Sequence, residues 1–463
     1  MKMRRMKAEV DITEGVIWKQ LLTFFFPILL GTFFQQLYNI ADAIIVGKFV
    51  STEALAAVGG ATGTLINLIV GFFVGLSSGA TVILAQHYGA RRHEDVSKTA
   101  HTGMALAVCC GLVIMVFGIL MTPALLNMLN TPENVMQDAQ TYMRIYFVGM
   151  IPSLIYNIGS GILRAVGDSR RPLYFLIASC MVNIVLDVLF VLGFEMGVAG
   201  AALATIISQA VSAVLVMLVL SRTSNSYKLQ VRKLGFNGPI LLRIVKIGLP
   251  AGLQSVMYSL SNVIIQSSIN AFGTTVMAAW TAWGKMDGTF WMIISAFGIA
   301  ITTFTGQNFG AGKFDRMKKS VRVCLAMAMG TTAVVSCLLL LVGPVAFRMF
   351  SNEEAVVIQG MEILRTLAPF FFTYICIEIF SGAVRGVGDT VIPTLMTLVG
   401  ICLLRAVWLL VIAPRVNTVP FTLYCYPITW SITSVLFILY YLKGSWLKRC
   451  AKKAGVALPE NVN

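Results

Sequence analysis

The sequence predicts an all-α polytopic membrane protein of about twelve transmembrane helices, arranged as two parallel six-helix lobes. Three observations carry that expectation. Of 463 residues, 57% are apolar and only 12% charged. Uninterrupted apolar stretches recur from the first fifty residues almost to the end. Two separated pairs of segments also repeat at one spacing of 221 residues. A soluble fold of this composition would expose far too much apolar surface, so the solvent for most of the chain is lipid.

A bilayer core of about 30 Å needs about 20 apolar residues per helix. Charged, Gly, Pro and Asn breaks divide the chain into predicted helices over 20–46, 54–84, 98–121, 139–162, 172–193 and 197–220. A second six follow over 244–270, 276–304, 320–342, 357–383, 391–413 and 420–442. The opening residues, MKMRRMKAEVDITEGVIWKQ, are basic and then polar, and no small-residue cleavage site follows. The first helix is therefore expected to be retained, not removed as a signal peptide. Pro27 removes one backbone hydrogen bond from that helix and permits a hinge there. The domain division expected is a tail over 1–19, an N-terminal lobe over 20–221, a linker over 222–243, a C-terminal lobe over 244–442 and a basic tail over 443–463.

Charge placement sets the orientation. With the amino terminus inside, the cytoplasmic segments collect 28 of the 35 Lys and Arg residues. Basic loops resist translocation, so both termini are expected in the cytoplasm of a cell or inner membrane. The same bias accounts for the net charge of +15 without any nucleic acid. The nine cysteines lie mostly inside apolar runs and form no CxxC spacing, which implies packing rather than a metal or disulfide framework.

The repeat is the most specific feature. SGILRAVGDSRRP at 160–172 aligns with SGAVRGVGDTVIP at 381–393, and AQHYGARRHED at 85–95 aligns with GQNFGAGKFDR at 306–316. Each repeat holds an even number of spans, so the halves share one orientation, the architecture of a carrier that rocks about a cleft. In the paired RxxGD turns, Gly allows the tight backbone and Asp can cap the next helix or pair with a nearby Arg. The Pro suits that helix's first turn.

Ionisable groups inside a bilayer cost a few kcal/mol, so each needs a partner or a task. Asp42 and Asp187 lie at similar depth in the outer half of their helices, Asn183 is one turn from Asp187, and Thr205 and Gln209 enter from the outer end of the sixth helix. These positions can converge on one site in the N-terminal lobe. Gln35, Tyr38 and Asp42 share a helix face at i, i+3 and i+7 and can line the same cavity. Two carboxylates in one cavity repel each other when both are charged, which suits a site that holds a proton or a cation. No resident cofactor is called for; H⁺ and Na⁺ both suit carboxylates with neutral oxygen donors.

NIADAIIVG at 39–47, the QHYGA and GQNFGA loops, the RxxGD turns and MVNIVLDVLFV at 181–191 together resemble the multidrug and toxic compound extrusion (MATE) family over nearly the whole length. The resemblance implies a V-shaped twelve-helix fold, alternating access, and export of amphipathic, often cationic compounds against proton or sodium entry. It also implies that Asp42, Asn183, Asp187 and Thr205 form an amino-lobe cation or proton site. The second repeat departs from symmetry, with Leu404 and Trp408 at the positions matching Asn183 and Asp187. GLQSVMYSLSNVIIQSS at 252–268 lacks the Glu that the NorM-like branch carries for sodium, which favours the DinF-like branch. Lys285, Asp287, Glu378 and Arg405 are further candidate cavity-lining residues. They can neutralise one another as buried pairs or contact substrate, and their balance of two signs favours pairing.

The expected function is secondary active efflux of a small organic substrate by a monomer. A flippase or exporter of lipid-linked or other metabolite cargo is the main alternative, and a strongly basic cavity would favour it. An intramembrane enzyme would need paired His residues or a GxSxG turn within the spans, whereas His87, His93 and His101 cluster around one cytoplasmic connection. A channel would not require the 221-residue repeat. Gradient-driven exchange distinguishes it from a carrier.

Overall fold

The computed structural model describes residues 12–456, which are helical with no strand among the described residues. In lipid no water satisfies backbone N–H and C=O groups, so continuous helices are the natural spanning element. Eleven helices are long and apolar enough to cross a bilayer, and one bent pair makes a twelfth span. In chain order they are α1 (Ile17–Phe49), α2 (Thr52–Gly89), α3 (His93–Met128), α4 (Glu133–Val148 and Met150–Ala165, bent by 47°), α5 (Arg170–Gly193) and α6 (Gly197–Arg222). The second set is α7 (Gly238–Asn270), α8 (Thr274–Gly310), α9 (Phe314–Phe350), α10 (Glu354–Val387), α11 (Val391–Arg415) and α12 (Val419–Lys443). A short α13 (Trp446–Ala454) follows. Leu120, Leu341 and Met349 are 73%, 77% and 83% exposed, as side chains facing lipid rather than water would be.

The chain divides into two compact units, but not at the predicted boundaries. The first runs from Thr23 to Gly252; the second combines Ile12–Leu22 with the chain from Leu253 onward. Local chemistry explains both shifts. Within the first unit, the linker is fastened down: the Gln230 N–H donates to His101 Nε2 at 3.1 Å and the Asn237 N–H to Thr102 Oγ1 at 3.2 Å. Gly75 and Gly79 of α2 then meet Gly252 and Gly248 of α7 backbone to backbone, a GxxxG pair on each side that ties the first turns of α7 to α2. Within the second unit, the Arg316 guanidinium grips the chain leading into α1. It donates to the carbonyls of Ile12 (3.2 Å), Glu14 (2.7 Å) and Gly15 (2.8 Å) and to Gln20 Oε1 (2.8 Å).

The paired RxxGD turns keep one backbone and use their acids differently. Gly167 and Gly388 sit at φ 92° and 102°, where a side chain would be strained. Asp168 Oδ1 accepts the N–H groups of Arg170 and Arg171, both at 3.1 Å, and caps α5, while its other oxygen pairs with Arg171 Nε at 3.3 Å. Asp389 instead accepts from the Tyr440 hydroxyl at 2.5 Å and from Arg449 of α13 at 3.2 Å. Pro27 lies inside α1, which continues as a helix through it.

Candidate functional site

Three helices of the first unit supply one buried polar cluster of four residues. α1 contributes Asp42, α5 contributes Asn183 and Asp187, α6 contributes Thr205, and all four are buried, with Asn183 and Asp187 fully so. The α-helical part of α5 ends at Asp187, and a π-helical turn over Val188–Gly193 completes the span. Such turns widen the helix and break the regular hydrogen-bond ladder, and they recur at functional sites. Thr205 Oγ1 has one hydrogen to give and shares it between Asp42 Oδ2 at 3.1 Å and the Ala201 carbonyl at 3.0 Å.

Around this bond the cluster is short of donors. The Asp42 carboxylate lies within interaction range of Asp187 and Asn183 as well as Thr205. Asp42 Oδ1, both oxygens of Asp187 and both polar atoms of the Asn183 amide have no hydrogen-bond partner. Two charged carboxylates about 4 Å apart repel by roughly 4 kcal/mol at an effective dielectric of about 20, before any desolvation. A proton shared between them, or a cation coordinated by the free oxygens, removes most of that cost. Carboxylate, amide and hydroxyl oxygens gathered in this way are the donor set that a proton or a small cation would need.

The other residues expected here are placed as follows. Tyr38 is buried in α1 beside Gln35, which is itself exposed, and Gln209 is half-buried on α6. The structure adds two residues that sequence reasoning missed. Tyr142 of α4 lies near Asp42 and Asp187, and Tyr146 lies near Asp42 and beside Gln209; the two rings stack at 6.1 Å. Their i, i+4 spacing put them on one helix face, a signal present in the sequence but indistinguishable from an interfacial aromatic pair.

The candidates of the second unit do not form the expected pairs. Among the described residues no ion pair within 4.0 Å joins Lys285, Asp287, Glu378 and Arg405. Lys285 is exposed. Asp287 accepts from Trp291 Nε1 at 2.5 Å, Glu378 from the Tyr374 hydroxyl at 3.5 Å, and Arg405 donates to Ser261 Oγ at 3.3 Å. Aromatic and hydroxyl side chains reach each charge first, so balanced signs in the sequence did not become salt bridges.

A duplicated set of spanning helices with a buried carboxylate cluster inside one repeat has the architecture of a membrane carrier, a transporter rather than an enzyme. The MatE family pattern matches the chain twice, over residues 27–189 and 250–411, and the chain belongs to this family of multidrug efflux transporters. The double match falls on the two sequence repeats. A probable multidrug resistance protein, YoeA of Bacillus subtilis (strain 168), is 27% identical over 83% of this chain and 84% of its own length. A probable multidrug resistance protein, NorM of Thermotoga maritima, is 24% identical over 94% of each. Among solved structures, a MOP superfamily transporter from Pyrococcus furiosus superposes with a TM-score of 0.88 at 22% identity, over 97% of this chain and all of its own. An outward-facing multidrug resistance MATE transporter gives 0.87 at 22% identity over the same shares.

Proposed function

We propose that this chain exports amphipathic organic compounds, cations among them, from the cytoplasm by alternating access, driven by proton or sodium entry through the Asp42–Asp187 site. The observation that carries the reading is the pair of buried carboxylates with three oxygens left without donors. A site of that kind is unfavourable when empty and charged, and favourable when it holds one or two positive charges. Ion binding from outside and release inside then bias which way the carrier faces, because the empty and loaded sites favour different packings of α1, α5 and α6. Thr205 orients Asp42 and gives the site a neutral oxygen ligand. Pro27, in the same helix as Asp42, supplies the place where α1 can bend as the load changes.

The excess of Lys and Arg in alternate connections supports cytoplasmic termini in the cell membrane. The reading calls for one chain, one organic substrate, a coupling ion and no resident cofactor. Its test is purified protein in liposomes with a fluorescent organic cation as cargo and an imposed proton or sodium gradient. Cargo movement that follows one gradient and saturates supports the proposal; movement indifferent to both gradients overturns it.

A further inference from the structure

Besides the aromatic cavity of the second unit, about 440 Å³ and faced by Asp287 and Arg405, the first unit carries an open cleft of about 370 Å³ between α3 and the linker that leads into α7. The linker is fixed so as to keep this cleft. Tyr227 and Leu229 are buried, and the Leu229 N–H donates to the Leu220 carbonyl at 2.9 Å, which turns the chain back against α6. Because His101 Nε2 takes the Gln230 N–H, the ring carries its hydrogen on Nδ1 and gives it to the Ser97 carbonyl at 2.8 Å. Further on, Thr102 holds the Asn237 N–H, and the Asn237 side chain accepts from the Ile240 N–H at 3.3 Å at the start of α7. The stretch between Gln230 and Asn237 is thus tied to α3 at both ends, with a 3₁₀ turn over Val231–Lys233 between the ties.

Depth and side chains together say what the cleft meets. α3 has 36 residues, about 54 Å of helix, against a hydrocarbon core of about 30 Å. Its polar opening turns, HEDVSKTAHT at 93–102, therefore stand in the headgroup layer, and the apolar run begins just beyond them. The charge bias puts that end of α3 on the cytoplasmic side. Lys98 and Lys233 line the cleft, with Phe236 beside them. Among the described residues Lys233 makes no ion pair, and Lys98 pairs with Glu94 alone, at 2.6 Å. Val231 and Phe236, on either side of Arg232 and Lys233, are both more than half exposed. Apolar side chains flanking two cations suit a layer with acyl chains below and phosphates above.

We infer that this cleft binds the headgroup of an anionic phospholipid of the cytoplasmic leaflet. The phosphate sits between the Lys98 and Lys233 ammonium groups, and Phe236 lies along the acyl chains. Glu94 is a built-in competitor. It holds Lys98 when the cleft is empty and yields it when phosphate enters, a small loss because water and salt screen an exposed pair. A choline headgroup sets a fixed cation against both lysines, and a soluble phosphate gains nothing from Phe236, so each binds less well than an anionic lipid. Bound lipid joins the linker to α3 across the cleft whatever cargo the chain carries. The inference therefore stands apart from the exporter reading and uses only the orientation.

The test is native mass spectrometry of the detergent-purified full chain, titrated with dioleoyl phosphatidylglycerol, dioleoyl phosphatidylcholine and glycerol 3-phosphate. The first phosphatidylglycerol should bind at least about tenfold tighter than the first phosphatidylcholine, and glycerol 3-phosphate in large excess should not displace it. Replacing both lysines, Lys98→Gln with Lys233→Gln, should weaken that first lipid about tenfold, and Phe236→Ser should weaken it about threefold. Glu94→Gln, which frees Lys98, should tighten it about two- to threefold. That variant alters an exposed carboxylate and keeps the inference falsifiable should the double lysine variant fail to fold. Lys452→Gln with Lys453→Gln removes the same charge from the exposed face of α13 and should leave the first lipid unchanged. No preference for phosphatidylglycerol, equal weakening by the α13 pair, displacement by glycerol 3-phosphate, or weaker binding in Glu94→Gln overturns the inference.

Discussion

Asp42→Asn tests the coupling site most directly, because it removes one charge and almost no volume. The amide oxygen can still accept the Thr205 hydroxyl that sits 3.1 Å from Asp42 in the native site. The new amide nitrogen can donate to Asp187, whose oxygens both lack partners. The substitution also relieves the like-charge repulsion of the doubly ionised pair, roughly 4 kcal/mol for unit charges about 4 Å apart at an effective dielectric of about 20, so the variant should fold, insert and melt no lower than the wild type. What it loses is the second carboxylate. A gradient of about one pH unit, or about tenfold in sodium, supplies about 1.4 kcal/mol per ion exchanged, enough to sustain roughly tenfold accumulation of cargo per coupled ion. In liposomes with such a gradient, the wild-type chain should approach that ratio and Asp42→Asn should fall to the level of empty vesicles. Cargo binding measured without a gradient should stay within about twofold. A properly inserted Asp42→Asn protein that still concentrates cargo to the wild-type ratio would refute the assignment of coupling to this pair.

Thr205→Val keeps the shape of the side chain and removes the donor to Asp42, at a cost of about 1 kcal/mol. The ion concentration for half-maximal exchange should change about fivefold, and Thr205→Ser should restore it. At the helix contact, Gly79→Ala sets a methyl group against the Ile244 carbonyl and the backbone of Gly248. It should lower thermal stability by about 1–3 kcal/mol in a detergent melting assay. Gly330→Ala is the matched control: nothing lies within 4 Å of its added carbon, and helix propensity should stabilise by about 0.5–1 kcal/mol. Arg316→Ala deletes four hydrogen bonds to the chain between Ile12 and Gln20 and should speed proteolysis there severalfold, with Arg316→Lys giving little rescue because an ammonium cannot span the same acceptors.

Much of the fold was legible because lipid imposes a simple rule. Each span must be long, apolar and internally hydrogen-bonded, so breaks such as Arg91–Arg92 and Gly167–Asp168 stand out as punctuation. Every predicted span lies within or across a helix of the structure; the fourth proved to be two helices meeting at Gly149. The unit boundaries were less legible. Nothing in the residues 244–252 declares that Gly248 and Gly252 pack on α2, since a GxxxG spacing marks a contact face without naming its partner.

The candidate site divides in the same way. Asp42, Asn183, Asp187 and Thr205 could be selected individually because polar groups in apolar helices are rare and their depths could be counted from the helix ends. The second unit shows the limit of that method. Lys285, Asp287, Glu378 and Arg405 offered two charges of each sign, yet Asp287 found an indole and Arg405 a tyrosine ring and a serine. Charge balance is a property of composition, whereas pairing depends on reach and direction. Here the π-helical turns flanking Arg405 set that direction, and no residue pattern announces them.

The sequence by itself determined that this chain is an all-α polytopic membrane protein of about a dozen spans, that it is a duplicated carrier, and it singled out four polar residues that can converge in the first repeat. Those properties follow from local periodicity, from repeat spacing and from the high cost of polarity in lipid. Only the tertiary structure decided which tyrosines join the carboxylates, where one compact unit ends and the next begins, and that two opposite charges in the second unit face an aromatic cavity rather than each other. These depend on contacts between residues far apart in the chain, and such contacts are fixed by how helices turn and pack, not by what any one helix contains.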